Sequence, residues 1–354
     1  MKYSARISLM EVRKEIIMSV HIIHHNDDDG KCSAAVIYNE LCMEYPMSED
    51  NFIEYSHGGP RPEIDNEKLT DGSIVYIVDL ALDEVIYGLI KSIRDCNRNV
   101  KIVHIDHHKT TFDFLEGLDD DQRRVMDSVY RFYRLGVSAS MLCWVYSCMT
   151  DEYRNDIDKL QKDDEFDFTA EFSHVGFNIG KTDQREIRVP MIIRFVNDHD
   201  VWRHEISGTR EFHDGFSLVT NKHPMSNLWT TLLYSSREYT LYDDYVKKGM
   251  TIRDYNKIQY EHQLKHAFES YICGVRVLCL NSTCATSEVF GDKINEYDAV
   301  CIFYYQGDKM LWKYSMYSKE DGIDVSRICK RYGGGGHEHA AGFTNIHLIF
   351  PRLV

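Results

Sequence analysis

The stretch "HIIHHNDDDGKCSAAV", residues 21–36, decides how this chain is read. A short β-branched run, "SVHIIHH" from Ser19, ends in two histidines. Three consecutive carboxylates follow, Asp27, Asp28 and Asp29, and then a glycine opens an apolar stretch with helical spacing. Taken alone, an acidic turn before a helix is a solvated cap favoured by the helix dipole. A calcium loop is excluded, because the twelfth position counted from His25 carries Val36 where such a loop needs Glu. Otherwise, carboxylates crowded at the end of a buried strand call for a cation.

The pattern recurs along the chain. "SIVYIVDLAL" from Ser73 is an apolar strand reaching Asp79, followed by a helical "DEVIYGLIKSIRD". "VKIVHIDHHKT" from Val100 is a second apolar strand, closed by Asp106, His107 and His108, and "RLGVSASMLCWVYSCM" reads as a helix. Near-continuous apolar strands alternating with helices predict an α/β domain whose parallel sheet is covered on both faces. In such sheets ligands bind outside the carboxyl ends of the strands, where all three clusters fall. A fourth apolar run, "VPMIIRFVNDHDVW", is also closed by acids, Asp198 and Asp200.

Length and composition set the frame. A chain of 354 residues with 43% apolar and 12% aromatic residues can bury two cores. We expect an N-terminal extension over 1–19, a catalytic domain over 20–240 interrupted by an acidic insertion at 151–187, a linker helix over 241–270, and a smaller α/β domain over 271–354. Met18, just before the first strand, is an alternative start. The strand-like runs of the last domain are "GVRVLCLN", "YDAVCIFYY" and "MLWKYSMYS"; the helix "DVSRICKRY" then leads into "GGGGHEHAAGF". Ten scattered cysteines without a CxxC pair suit reduced thiols and a cytoplasmic location. Charged residues interrupt any signal-peptide core near the N-terminus, and no run is long enough to span a membrane. The net charge of −15 argues against a protein that tracks long nucleic acid through a basic groove, and favours short nucleotides gripped at a local site.

Each cluster by itself has an ordinary explanation: a lone Asp79 ends a strand, "DHH" suits a surface turn, and Gly333 to Gly336 suit a flexible turn. Lys109 is either a phosphate contact or an exposed lysine, and Trp144 and Trp202 read as core residues rather than nucleobase platforms. Their joint order is what argues for a site, since every strand end delivers acid or imidazole. Asp and His together suit Mn²⁺ or Mg²⁺ before Zn²⁺. So many donors exceed one ion's needs, and a pair of metals roughly 3.5–4 Å apart would use them in phosphoester hydrolysis.

"HNDDDG", "IVDLAL", "IDHHKT" and "NDHDVW", followed by "GGGGHEHAAGF", resemble the DHH phosphoesterase superfamily with its C-terminal DHH-associated domain. The resemblance spans residues 20 to 345 and is nearest to the oligoribonuclease (nano-RNase) type; RecJ-type exonucleases carry Asp where His25 stands. It implies that His25, Asp27 and Asp79 hold one Mn²⁺ and that Asp29, Asp79, His107 and Asp198 hold the other, with Mg²⁺ as an alternative ion. Asp200 is the reserve for Asp198, and Asp28 is expected to point away. Asp106 would orient an imidazole, and His108 would face the scissile phosphate. Gly333, Gly334, Gly335, Gly336 and His337 would grip substrate through an anion nest, aided by Ser326 and Arg327. Tyr317 stands where many relatives have an arginine, which puts a guanidinium contact there in doubt.

The implied function is Mn-dependent hydrolysis of short single-stranded oligonucleotides or dinucleotides to 5′-mononucleotides. A RecJ-like single-strand exonuclease is one alternative; a cyclic dinucleotide or adenosine bisphosphate phosphohydrolase is another. A metal-bound nucleotide sensor without turnover is the non-enzyme alternative. No obligatory protein partner and no membrane is implied, and self-association is left open.

Overall fold

The computed structural model describes residues 18–56, 59–96, 98–149, 177–178, 186–234, 238–319 and 321–350. The expected extension before Met18 and nearly all of the expected acidic insertion lie outside these residues. The chain divides into two compact units, Met1–Gly249 and Met250–Val354.

The first unit is built on β1 (Val20–His25), β2 (Phe52–Tyr55), β3 (Ile74–Val78), β4 (Lys101–Asp106) and β5 (Tyr130–Tyr133). They form one sheet in the order β2-β1-β3-β4-β5, with every pair parallel. Alternate residues along each strand feed opposite cores. Ile22, Tyr76, Val78, Val103 and Ile105 face one apolar cluster, while Ile23, Val75, Ile77 and Ile102 face the other. This two-residue alternation inside an all-apolar run marks a sheet covered on both faces. α1 (Asp28–Leu41) and α5 (Ala139–Cys148) cover the first face; α2 (Glu84–Asp95) and α4 (Asp120–Met126) cover the second, and α3 (Lys109–Glu116) follows β4.

β1 leads outward to β2 on one side while β3 lies on its other side, so the chain reverses its winding between β1 and β3. In open α/β sheets ligands settle at such a switch point. A two-residue antiparallel pair, β6 (Phe177–Asn178) with β7 (Glu186–Ile187), precedes α6 (Met191–Asp200), α7 (Thr209–Phe216), α8 (Asn227–Tyr234) and α9 (Glu238–Leu264). The division between the units falls within α9. The fourth apolar run closed by acids is not a further strand but helix α6, with Ile192, Ile193, Phe195 and Val196 buried.

The second unit is a six-stranded mixed sheet made of β8 (Phe268–Ile272), β9 (Val275–Asn281), β10 (Ala299–Gln306), β11 (Leu311–Tyr317), β12 (Gly335–His337) and β13 (Ala340–Asn345). Its order is β12-β13-β11-β10-β9-β8, and β9 with β10 is its parallel pair. α10 (Val325–Arg331) buries Val325, Ile328 and Cys329 in the core formed with that sheet.

Candidate metal centre

The β1–α1 turn supplies the first donors. Asp27 is the N-cap of α1: Oδ1 accepts the Gly30 N–H at 2.8 Å, and Oδ2 lies 2.6 Å from His25 Nδ1. Gly30 is required by the tightness of this turn, because a Cβ there would sit 2.4 Å from the His25 carbonyl oxygen. Asp29 is buried, and both its oxygens accept backbone N–H groups from the start of α5, Ala139 at 2.7 Å and Ser140 at 2.9 Å. Those two bonds fix its orientation.

Asp79 follows β3 and is 1% exposed, with a φ of 56°. That left-handed backbone is rare for a residue other than glycine, and such strain concentrates at functional positions. Its Oδ2 is buried and accepts no hydrogen bond, as is Oδ2 of Asp200 at the end of α6. β4 ends at Asp106, which is fully buried. Its Oδ1 lies 2.8 Å from His108 Nδ1, and its Oδ2 accepts the His108 N–H and the Thr111 hydroxyl. Thr111 in turn accepts the Leu82 N–H at 2.7 Å, which ties the segment after β3 to the end of β4. His107 stands at the centre, its Nε2 3.2 Å from Asp79 Oδ1, 3.4 Å from Asp200 Oδ2 and 3.8 Å from Asp29 Oδ2.

Three overlapping donor sets result, each with ligand atoms within 4.8 Å of one another: His25, Asp27 and Asp79; Asp29, His107 and Asp200; and Asp79, His107 and His108. Without a cation the electrostatics of this centre are unfavourable. Burial, then the charges of Asp29, Asp27 and Asp200, pushes the Asp79 carboxyl well above the usual carboxylate range. Burial, then Asp29 and Asp27, pushes Asp200 up to about 8. Burial is the largest single influence on Asp27 and Asp106 and raises both, but the hydrogen bond and charge of the neighbouring histidine, joined by further hydrogen bonds, together hold both down to about 2. Burial lowers His107 despite the carboxylates around it. Burial would lower His108 too, but the Asp106 bond and the charges of Asp106, Asp200 and Asp29 together raise it. A cation among these groups would remove the repulsion and engage the two oxygens that accept no hydrogen bond. The donors are oxygen and imidazole without thiolate, which fits a hard or borderline divalent ion. The residues therefore fit a pair of such ions sharing Asp79.

Three expectations need correction. Asp198 does not join the cluster. Its oxygens accept the Glu205 and Ile206 N–H groups and the Thr209 hydroxyl, so it pins the segment after α6. The reserve residue, Asp200, is the one at the centre. Trp202 is not in the core but 74% exposed. In the glycine run, the N–H groups of Gly333 and Gly334 donate to Lys330 and Cys329 carbonyls, closing the end of α10, and are committed there rather than offered to an anion. Gly335 and Gly336 pair with β13.

Other expected positions are simply located. Asp28 makes an ion pair with Lys222 at 2.6 Å and is outside the donor sets. Lys109 is exposed and pairs with Asp113 at 2.9 Å. The Trp144 indole N–H donates to the Arg188 carbonyl at 3.1 Å. Ser326 is buried, and its hydroxyl donates to Asp324, which also pairs with the exposed Arg327. His337 lies on β12, and Tyr317 ends β11 half-buried. Sequence reasoning missed Thr111, whose only signal was a threonine five residues after Asp106.

No family model matches the chain. One curated relative, an uncharacterized protein of Acanthamoeba polyphaga mimivirus, is 28% identical over 174 residues, 46% of this chain; the match spans 39% of that relative's length. Among solved structures, a DHH domain described as that of a member of a ribosomal protein family is 13% identical, over 92% of this chain and 82% of that one, with a TM-score of 0.50. The exonuclease RecJ bound to manganese is 11% identical, over 92% of this chain and 86% of that one, with a TM-score of 0.44. The likeness to the DHH domain concerns the fold, and with it the parallel sheet whose strand ends carry the donors.

Proposed function

We propose that the chain is a divalent-metal-dependent phosphoesterase that hydrolyses short oligonucleotides to 5′-mononucleotides. The observation that supports this best is the pair of donor sets sharing Asp79 at the carboxyl ends of β1, β3 and β4. One ion, Mn²⁺ before Mg²⁺, would be held by His25, Asp27 and Asp79, and the other by Asp29, Asp79, His107 and Asp200. Such a pair, when bound, clamps the oxygens of an in-line phosphoryl displacement and lowers the pKa of water.

The chain's own residues do the rest. Asp79 lies between the two donor sets, and its strained backbone aims it there. Asp29, fixed by two N–H groups, keeps one position without a rotamer search. Asp106 commits His108 Nδ1, so contact with a substrate phosphate falls to His108 Nε2. The net charge of −15 suits short substrates held at a local site. The ten free thiols support a cytoplasmic location. No helix among the described residues is long and apolar enough to cross a membrane.

The test is a substrate-length series: labelled RNA and DNA from two to about thirty nucleotides, beside cyclic dinucleotides and adenosine bisphosphate, with Mn²⁺. Fastest cleavage of two- to five-mers, abolished by His107→Ala/His108→Ala, is the expected result. Rates rising with length point instead to a RecJ-like exonuclease. Turnover confined to the cyclic or bis-phosphorylated compounds would keep the metal centre and replace the substrate.

A further inference from the structure

A cavity of about 210 Å³ opens beside the carboxylate cluster. Phe195, His199, Trp202, Phe212, His213 and Phe216 wall it, while Asp27, Asp29 and Asp200, all donors of the centre, and Asp28 stand at its border. Its volume is below the roughly 300–1,000 Å³ of pockets that enclose a whole small-molecule ligand, so it suits one part of a larger substrate. The walls are flat rings. Phe195 stacks on Phe212 at 4.6 Å and 10°, and His199 on His213 at 3.6 Å and 15°.

Trp202 completes the wall in an unusual way. It is 74% exposed and has a φ of 57°, a conformation disfavoured for a bulky residue. Its backbone N–H donates to the His199 carbonyl at 3.0 Å, and its indole lies 26° from the plane of the His199 ring. An indole held in water by a strained backbone gains nothing from core packing there. Six of the lining residues carry flat rings, and the carboxylates beside them are committed to the donor sets or, for Asp28, to Lys222. What fits is planar, aromatic and uncharged, and is attached to a group that reaches the metal centre.

We propose that this cavity receives one nucleobase of the substrate, the one adjoining the phosphodiester presented at Asp79, with Trp202 as its stacking platform. The proposal rests on the phosphoesterase reading and adds the requirement for a base. Stacking on an indole is available to every base, so the site tolerates any sequence and rejects a substrate that lacks the base.

The test separates binding from turnover. A hydrolysis-resistant dinucleotide with a methylene in place of the bridging oxygen, and the same compound with either base removed, are titrated calorimetrically into Mn²⁺-loaded protein. Wild type, Trp202→Phe and Trp202→Ala are compared, and turnover of the ordinary dinucleotide is measured in parallel. Loss of one particular base and Trp202→Ala should each weaken binding by about 5- to 150-fold, the range of one base–aromatic stack. Trp202→Phe should restore most of the affinity. Unchanged affinity in Trp202→Ala, or for both abasic compounds, overturns the base site even if wild type cleaves dinucleotides well. Failure of wild type to cleave any oligonucleotide, with base-dependent binding intact, would instead sink the activity and leave the base site standing.

Discussion

His107 Nε2 lies 3.2 Å from Asp79 Oδ1, so residues after β4 and β3 meet in one donor set. Asp79 also belongs to the set containing His25 and Asp27, so its loss would touch both of the proposed ions. Asp79→Asn should therefore lower bound Mn²⁺ from about two ions per chain to one or none and reduce turnover by at least roughly 100-fold, since even outer partners of a metal ligand cost 10–100-fold. Elemental analysis of the dialysed protein, beside a rate measurement, checks both.

Removal of metal should expose a specific pH dependence. Asp200 titrates near 8 in the folded protein without metal, against an ordinary value of 3.8. Between these values the unfolded chain has lost a proton that the folded chain keeps, so this group's contribution is present at low pH and is lost as pH rises toward 8. Buried histidines with lowered pKa, such as His104 and His107, act in the opposite sense below about 6.5. The comparison of wild type with Asp200→Asn isolates the acid. In EDTA the variant should gain melting temperature over wild type steadily from pH 5 to pH 8, and with Mn²⁺ it should fall below wild type. A flat difference across that range in EDTA would refute the assignment.

Asp198 and Asp200 should behave oppositely on substitution. Asp198→Ala removes three hydrogen bonds to a buried carboxylate and should cost about 3 kcal/mol of stability while sparing metal content in the folded fraction. Asp200→Ala should keep the fold and lose metal. Denaturant melts with metal analysis distinguish the two in one pair of samples.

Helices α7 and α9 touch backbone to backbone through two glycines. A Cβ at Gly249 would lie 1.6 Å from the Glu211 carbonyl oxygen, and one at Gly215 would lie 1.9 Å from that of Tyr245. Gly249→Ala should destabilise the first unit by about 3 kcal/mol or more, because its obstacle, the Glu211 main chain, cannot rotate away. A thermal melt shifted by less than a few degrees would contradict this packing.

The strand ends were legible because each apolar run hands directly to its donors in the chain. "VKIVHIDHH" needs no long-range knowledge to be read as strand, then site. α6 was not legible, since a short apolar run such as "VPMIIRFV" fits a buried strand as well as a helix. That ambiguity also decided the aspartates. The short motif left Asp200 in reserve for Asp198; on a helix the two point to different sides, and one pins a loop while the other meets His107. Trp202 was misread for the same reason, because its exposure follows from where α6 stops. β2 and β5 are four residues each, with polar members, and carry little periodic signal. The committed N–H groups of Gly333 and Gly334 depend on where α10 ends, which composition does not encode.

Asp29 faces two ways, toward His107 and toward the first two residues of α5. The amide hydrogens of Ala139 and Ser140 are thereby wired to the state of the centre, although they sit 110 and 111 positions away in the chain. A cation held by Asp29 should slow deuterium exchange at these two amides, so they should exchange more slowly in Mn²⁺ than in EDTA. Hydrogen-exchange mass spectrometry would then report occupancy without any substrate at all.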